Sequence, residues 1–323
     1  MAKRFPPRQI EVFEVGVRDG LQNEARAVRF EDKIRLAQGL IDAGVRRLEL
    51  GAFVRPDLVP QMADTERVYG AVREGALKLG RAKAYALVPN RKGLDRAIAA
   101  GAKGIAVFTA ATESFARKNI GMSIDESLAV FAEVVAEAKR KRIEVRGYVS
   151  TAFGCPFEGK VAPKKAIAVV ERLAKLGIPE ISVGDTIGVA TPKGVVDVMA
   201  PLVTRFERKS GKKTRIAGHF HDTRGTALAN ALAAMEVGVT ILDSSAGGLG
   251  GCPFAPGATG NLATEDLVYL LDGMGIRSGI DLEKLSATSL AFSRLLGRPL
   301  SSRYLQAYAS ACEARNEPRG ALR

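Results

Sequence analysis

Eight short runs rich in Val, Ile and Leu recur along the 323-residue chain, each followed by a longer segment of helical periodicity. They read QIEVFEVG, RRLEL, AKAYALV, GIAVFTA, IEVRGYV, EISVGD, RIAGHFH and VTILDSS. Strand and helix alternating in this way is the pattern of parallel β-α units. The segments between them, such as EDKIRLAQGLIDAG, SIDESLAVFAEVVAEAKRK, PKKAIAVVERLAKLG and GTALANALAAMEVG, are amphipathic, and several close on a capping glycine just before the next strand. Eight units without a long linker or a shift in composition predict a closed (β/α)8 TIM barrel, an α/β fold, and not an open doubly wound sheet. The whole chain, 1–323, reads as a single catalytic barrel domain, with roughly 276–316 as a C-terminal helical extension and the charged tail EARNEPRGALR fraying beyond it.

Composition narrows the function classes. Hydrophobic residues make up 46% and charged residues 26%, ordinary values that exclude a disordered or fibrous chain. No apolar run approaches the length of a membrane span, and the amino terminus lacks an apolar export segment, so neither a membrane partner nor secretion is expected. Cys155, Cys252 and Cys312 are an odd number of scattered cysteines, which suits reduced thiols and a cytoplasmic location. The formal charge of +13 asks for an anionic partner or a solvated surface. Because Lys and Arg are spread over helix faces with few interleaved aromatics, nucleic acid is not expected; a phosphate-bearing small molecule would use the same charge.

The chain has only two histidines, His219 and His221, and both fall in the seventh strand run. Residues two apart on a strand share a face, so the two imidazoles can hold one ion at the strand's carboxyl end, where barrel enzymes keep their chemistry. Strand eight lies between strands seven and one. Strand one ends in Arg18, Asp19 and Gly20, which brings a hard carboxylate ligand near the histidines, and the segment after strand eight ends near the amide oxygen of Asn261. Two nitrogens with oxygen ligands suit an octahedral divalent ion, Mg²⁺ or Mn²⁺, better than a closed thiolate zinc site.

Glu49 is the lone carboxylate in the second run and Asp185 ends the sixth, so each is placed to serve a site or to orient its ligands. The segment Gly247 to Gly251 lacks the spacing of a dinucleotide fingerprint. Its glycines permit a loop that closes over a site and carries Cys252 into it.

With these residues assembled, the chain resembles the 3-hydroxy-3-methylglutaryl-CoA lyases from about Gln9 to Leu300. The motifs that carry the likeness, in order, are VGVRDGLQNE, FVRPDLVPQMADT, ESFARKNI, RGYVSTAFGCPFEG, SVGDTIGVATP, GHFHDTRGTALAN and GLGGCPFAPGATGNLATEDLVYLL. The resemblance implies a metal site of Asp19, His219, His221 and Asn261, with catalytic roles for Arg18, Cys252, His219 and Glu49. It further implies substrate contacts from Arg18, Gln22, Tyr148, Asp185 and Thr186, an acyl-CoA substrate, and a homo-oligomer, a dimer. Arg18 would stabilise charge on the thioester oxygen, Cys252 would protonate the departing carbon, and His219 or its neighbour would shuttle the hydroxyl proton, although a metal-bound nitrogen is not also a free base. Val17, Ala25 and the RPDLVPQ segment depart from the family's usual residues, which keeps open a lyase for a longer or modified 3-hydroxyacyl-CoA. The condensing isopropylmalate and homocitrate synthases share the R-D-G and H-x-H elements, but Leu21 after Gly20 and the Cys252 loop point to the lyase.

Overall fold

The computed structural model describes residues 5–208, 214–251 and 260–316. All eight predicted runs form strands: β1 (Glu11–Glu14), β2 (Arg47–Ala52), β3 (Lys83–Leu87), β4 (Gly104–Ala110), β5 (Glu144–Ser150), β6 (Glu180–Asp185), β7 (Arg215–Phe220) and β8 (Ile241–Ser244). Every neighbouring pair is parallel, and the sheet closes where β1 meets β8 in the register Phe13 to Asp243 and Glu14 to Ser244. This is the (β/α)8 barrel that the alternation predicts.

Helices α1 (Phe30–Asp42), α2 (Thr65–Glu74), α3 (Arg91–Ala100), α4 (Glu113–Ile120), α5 (Ile124–Arg140), α6 (Pro163–Lys175), α7 (Pro192–Arg208), α8 (Ala227–Glu236) and α9 (Thr264–Gly273) form the outer ring. The helix α5 shows how local sequence sets a boundary: Ser123 accepts from the Glu126 amide while the Glu126 side chain accepts from Ser123, a reciprocal cap that satisfies two otherwise orphaned donors. Two further helices, α10 (Leu282–Leu296) and α11 (Arg303–Asn316), follow the eighth unit, α10 packing on α1 and α11 on α9. A small hairpin, Gly154–Cys155 against Gly159–Lys160, extends the loop after β5. Among the described residues no helix is long and apolar enough to cross a membrane.

The apolar core lies between sheet and helices, with Leu36, Leu40, Leu48, Phe131 and Leu173 among its buried members. Inside the barrel only a small second cluster is apolar: Phe13, Val15, Tyr85, Ala217 and Ile241. Much of the rest is charged or polar, an unusual filling for a space that branched aliphatic residues commonly occupy. At the amino-terminal floor Arg47 donates to Glu11 at 2.5 Å and to both oxygens of Glu180 at 2.8 and 3.0 Å, while Arg215 donates to Glu180 at 2.7 Å. One layer higher the fully buried Arg146 joins Glu180 at 2.6 Å to Asp243 at 2.5 and 3.0 Å, its guanidinium 3.9 Å above the Phe13 ring. Buried charges persist only when paired and hydrogen-bonded, and here every inward arginine has a carboxylate fork.

Candidate active site

At the carboxyl-terminal mouth β1 does not run on as a strand through Arg18 and Asp19. It ends at Glu14, and Gly16–Gly20 form a π-helical turn closed by the Gly20 amide donating to the Val15 carbonyl at 3.1 Å. That wide turn is found mostly at functional sites. Glycine is needed at its close: a Cβ on Gly20 would stand 2.9 Å from both the Leu249 side chain and the Ser245 hydroxyl, which keeps the turn pressed against the segment after β8.

The ligand atoms of Asp19, His219 and His221 lie within 4.8 Å of one another. Asp243, gripped by Arg146, faces His219 Nδ1 at 3.1 Å. A carboxylate only accepts, so Nδ1 carries the hydrogen and Nε2 turns into the site; burial would lower the ring's pKa, but Asp243 raises it above the ordinary value. His221 Nε2 stands 3.2 Å from His219 Nε2, and His221 Nδ1 is buried with no hydrogen-bond partner among the described residues. Burial, then the neighbouring His219, push the His221 ring down to about 4, so it is neutral at physiological pH. Burial alone would raise Asp19, but Arg18 first and then His219 outweigh it and hold the carboxyl down to about 2.

These residues fit a divalent cation. Two facing imidazole nitrogens and a carboxylate oxygen converge with no cation of their own between them, and Arg18 (+1), Asp19 (−1) and Glu49 (−1) leave a local formal charge of −1. The donors are nitrogen and hard oxygen, with no described thiol among them.

Glu49 is fully buried and accepts from Arg18 Nε at 2.5 Å and from the Tyr148 hydroxyl at 3.0 Å. The pairing of β2 with β3 shifts between Glu49 and Gly51, a bulge of the kind that re-aims a side chain beside a site. Arg18 also donates to Asp19 at 2.6 Å and lies over the Tyr148 ring, with 5.7 Å to its centroid. Glu49 therefore fixes the arginine, and Tyr148 closes a second path down to Arg146 through a 2.6 Å bond. Burial drives the Tyr148 hydroxyl well above its ordinary range, so it serves as a donor and not as a base.

The remaining expected residues are less central. The Asn261 amide nitrogen donates to Asp19 at 2.9 Å and to the Leu249 carbonyl at 3.0 Å; Asn261 thus steadies the carboxylate, and these bonds leave its amide oxygen uncommitted. Asp185 turns back to accept from the Val189 and Ala190 amides at 2.9 and 3.0 Å, and burial pushes it up to about 6 against those bonds. Thr186 accepts from the Thr151 amide at 2.8 Å, holding a β-branched residue at φ 55° where β5 ends. Gln22 is half-buried in the helical turn after Gly20. Cys252 lies outside the described residues.

Arg146, Asp243 and Ser182, which donates to Asp243 at 2.9 Å, were not singled out by sequence reasoning. The signal was present: Arg146 and Asp243 are charged residues inside otherwise apolar strand runs, a placement that demands a buried partner.

Comparison with known proteins agrees with this geometry. The HMGL-like family profile matches residues 9–291. The chain belongs to the HMGL-like family. A relative in Bos taurus, the mitochondrial hydroxymethylglutaryl-CoA lyase, is 47% identical over 301 residues, covering 93% of this chain and 90% of that protein. Among solved structures, the HMG-CoA lyase of Bacillus subtilis superposes with a TM-score of 0.88 at 42% identity over 94% of this chain and 99% of its own. An HMG-CoA lyase of Acinetobacter baumannii, in complex with coenzyme A and 3-methylmalate, superposes with a TM-score of 0.85 at 37% identity over 98% of both chains. The HMGL-like barrel and its Asp19, His219 and His221 cluster thus occur in a chain close in sequence and shape to carbon-carbon lyases.

Proposed function

We propose that the chain cleaves 3-hydroxy-3-methylglutaryl-CoA to acetyl-CoA and acetoacetate, with Asp19, His219, His221 and Asn261 holding Mg²⁺ or Mn²⁺. The observation that carries this reading is the convergence of two facing histidine nitrogens and the Asp19 carboxylate beside a buried arginine, at the catalytic mouth of an HMGL-like barrel. Names of close relatives and the coenzyme A complex of one of them support the acyl-CoA class.

Cleavage requires the tertiary hydroxyl to lose its proton while an enolate of the thioester departs. A divalent ion, when bound, supplies Lewis acidity that lowers the pKa of a coordinated oxygen acid. Arg18, always cationic and held rigidly by Glu49 and Asp19, presents its remaining N–H groups to the thioester oxygen as charge develops there. Asp243 fixes the His219 tautomer before substrate arrives, so no reorganisation is needed at the moment of reaction. With Nδ1 committed to Asp243 and Nε2 to the ion, His219 keeps no spare nitrogen, so we assign it to ligation and the proton transfer to another group. Cys252, carried by the segment that Gly247 opens, is proposed to protonate the departing carbon and yield acetyl-CoA. The basic surface, net +13, suits the coenzyme's phosphates.

Incubating the protein with the thioester, in Mn²⁺, Mg²⁺ or a chelator, tests this by acetoacetate release. Release with metal and none with chelator is the expected result. Coenzyme A thioester that stays intact with metal present would redirect the reading to another acyl group.

A further inference from the structure

Two buried acids that the chemistry above leaves unused grip the turn that opens the glycine-rich segment. Glu14, the last residue of β1, accepts from the Gly16 amide at 2.7 Å, the Ala246 amide at 2.9 Å and the Thr264 hydroxyl at 2.6 Å. Glu265, in the first turn of α9, accepts at Oε2 from the Gly247 amide at 2.7 Å. Its Oε1 is buried without a well-formed bond, beside the equally buried hydroxyl of Ser289 on α10. Both side chains are wholly shielded from solvent. Together they hold three backbone amides: Gly16, which begins the turn carrying Arg18 and Asp19, and Ala246 and Gly247, which begin the segment after β8.

We infer that Glu14 and Glu265 are positioning residues that lock the turn after β8 to the Arg18–Asp19 turn, and that Glu265 keeps a proton in order to do so. The surroundings explain the proton. Thr264 comes from α9, Ser244 from β8 through its bond to Thr264, and Ser289 from α10, while the charged neighbour of Glu265 is Glu14 itself. Among the described residues no Lys, Arg or His pairs with either acid, because Arg18 is turned to Glu49 and Asp19. Two carboxylates in a dry space without a cation cannot both stay ionised. Oε1 of Glu265, which no amide occupies, is where the proton fits, donated towards Ser289. Burial pushes Glu14 up to about 7 and Glu265 up to about 8.

The sign follows from linkage. In the opened state Glu265 titrates at the ordinary carboxyl value of 4.5, whereas the closed state keeps its proton to about 8. The closed turn is therefore most stable at low pH. Opening becomes about tenfold easier per pH unit as this proton is released, then levels off above the closed-state value.

The importance of the lock for catalysis rests on the proposed function, but its existence does not, and hydrogen exchange on the full chain separates the two. Exchange of peptides spanning 244–251, corrected for the intrinsic pH dependence of exchange, reports opening of this turn. From pH 6 to 8 the wild-type protection should fall by about five- to tenfold per unit, and Glu265→Gln should flatten that slope while retaining an acceptor for Gly247. Protection that is flat with pH in the wild type overturns the inference, as does a Gln variant with the wild-type slope. Should the variant fail to fold, the wild-type series alone decides. Absence of lyase activity with the slope present would leave the lock standing and remove only its catalytic meaning.

Discussion

The floor of the barrel and its rim are built from the same kinds of side chain, arginines against carboxylates, yet they differ in how fully those groups are partnered. On the floor, Arg47, Arg146 and Arg215 share Glu180, and Arg146 takes both oxygens of Asp243. At the rim, Arg18 is divided between Glu49 and Asp19, one nitrogen of His221 has no partner among the described residues, and two histidine nitrogens face one another. Closed pairing makes a rigid base that needs nothing more; incomplete pairing makes a place for an ion. The two regions are not independent. Arg146 reaches the rim by two routes, through Asp243 to His219 and through Tyr148 to Glu49.

The sharpest way to break this contrast is at its hub. Arg146→Met strands Asp243 and Glu180 without their shared counter-charge, and breaking such a buried pair costs on the order of 3 to 5 kcal/mol, read by urea unfolding. A cost below about 1 kcal/mol would mean that the floor is not what holds the barrel interior together. At the rim, Arg18→Met should slow turnover by about 10² to 10³-fold, roughly 3 to 4 kcal/mol in the barrier, while Mn²⁺ binding persists. Near-normal turnover would remove Arg18 from the chemistry.

The unpartnered rim should also gain from what it binds. Mn²⁺ at 100 times its Kd should stabilise the wild type by about 2.7 kcal/mol, seen as a rise in Tm, and His221→Ala should lose that rise. A metal-induced rise that survives in the variant would place the ion elsewhere. The smallest effect belongs to the outer edge of the floor, where Lys83 pairs with Glu144 in the open. Lys83→Met should change stability by less than about 1 kcal/mol, and a larger loss would show that the floor network extends to the surface.

The sequence made the barrel legible because each strand run and each amphipathic helix carries its own local signal, and all eight runs became strands. The nearness of Asp19 to His219 and His221 was legible because both histidines of the chain fall at one strand end, with one strand between it and β1. What could not be read locally was partnership. Arg146 and Asp243 are 97 residues apart, and Glu14 and Ala246 are 232 apart, so only the closed barrel brings them into contact. The π-helical turn at Gly16–Gly20 was read as strand end, since an apolar run gives no warning that Gly20 will bond back to Val15. Asp185 looked like a site carboxylate by its position, but its oxygens are committed to the amides of its own loop.

The central claim is that the rim holds one catalytic divalent ion on Asp19, His219 and His221. Titrating the metal-free protein with Mn²⁺ in a calorimeter, in parallel with acetoacetate release from 3-hydroxy-3-methylglutaryl-CoA, tests it most directly. One ion per chain is expected, with activity that saturates at the same midpoint as binding and loss of both in His219→Ala. Binding that this substitution leaves intact, or activity that persists in excess chelator, would contradict it.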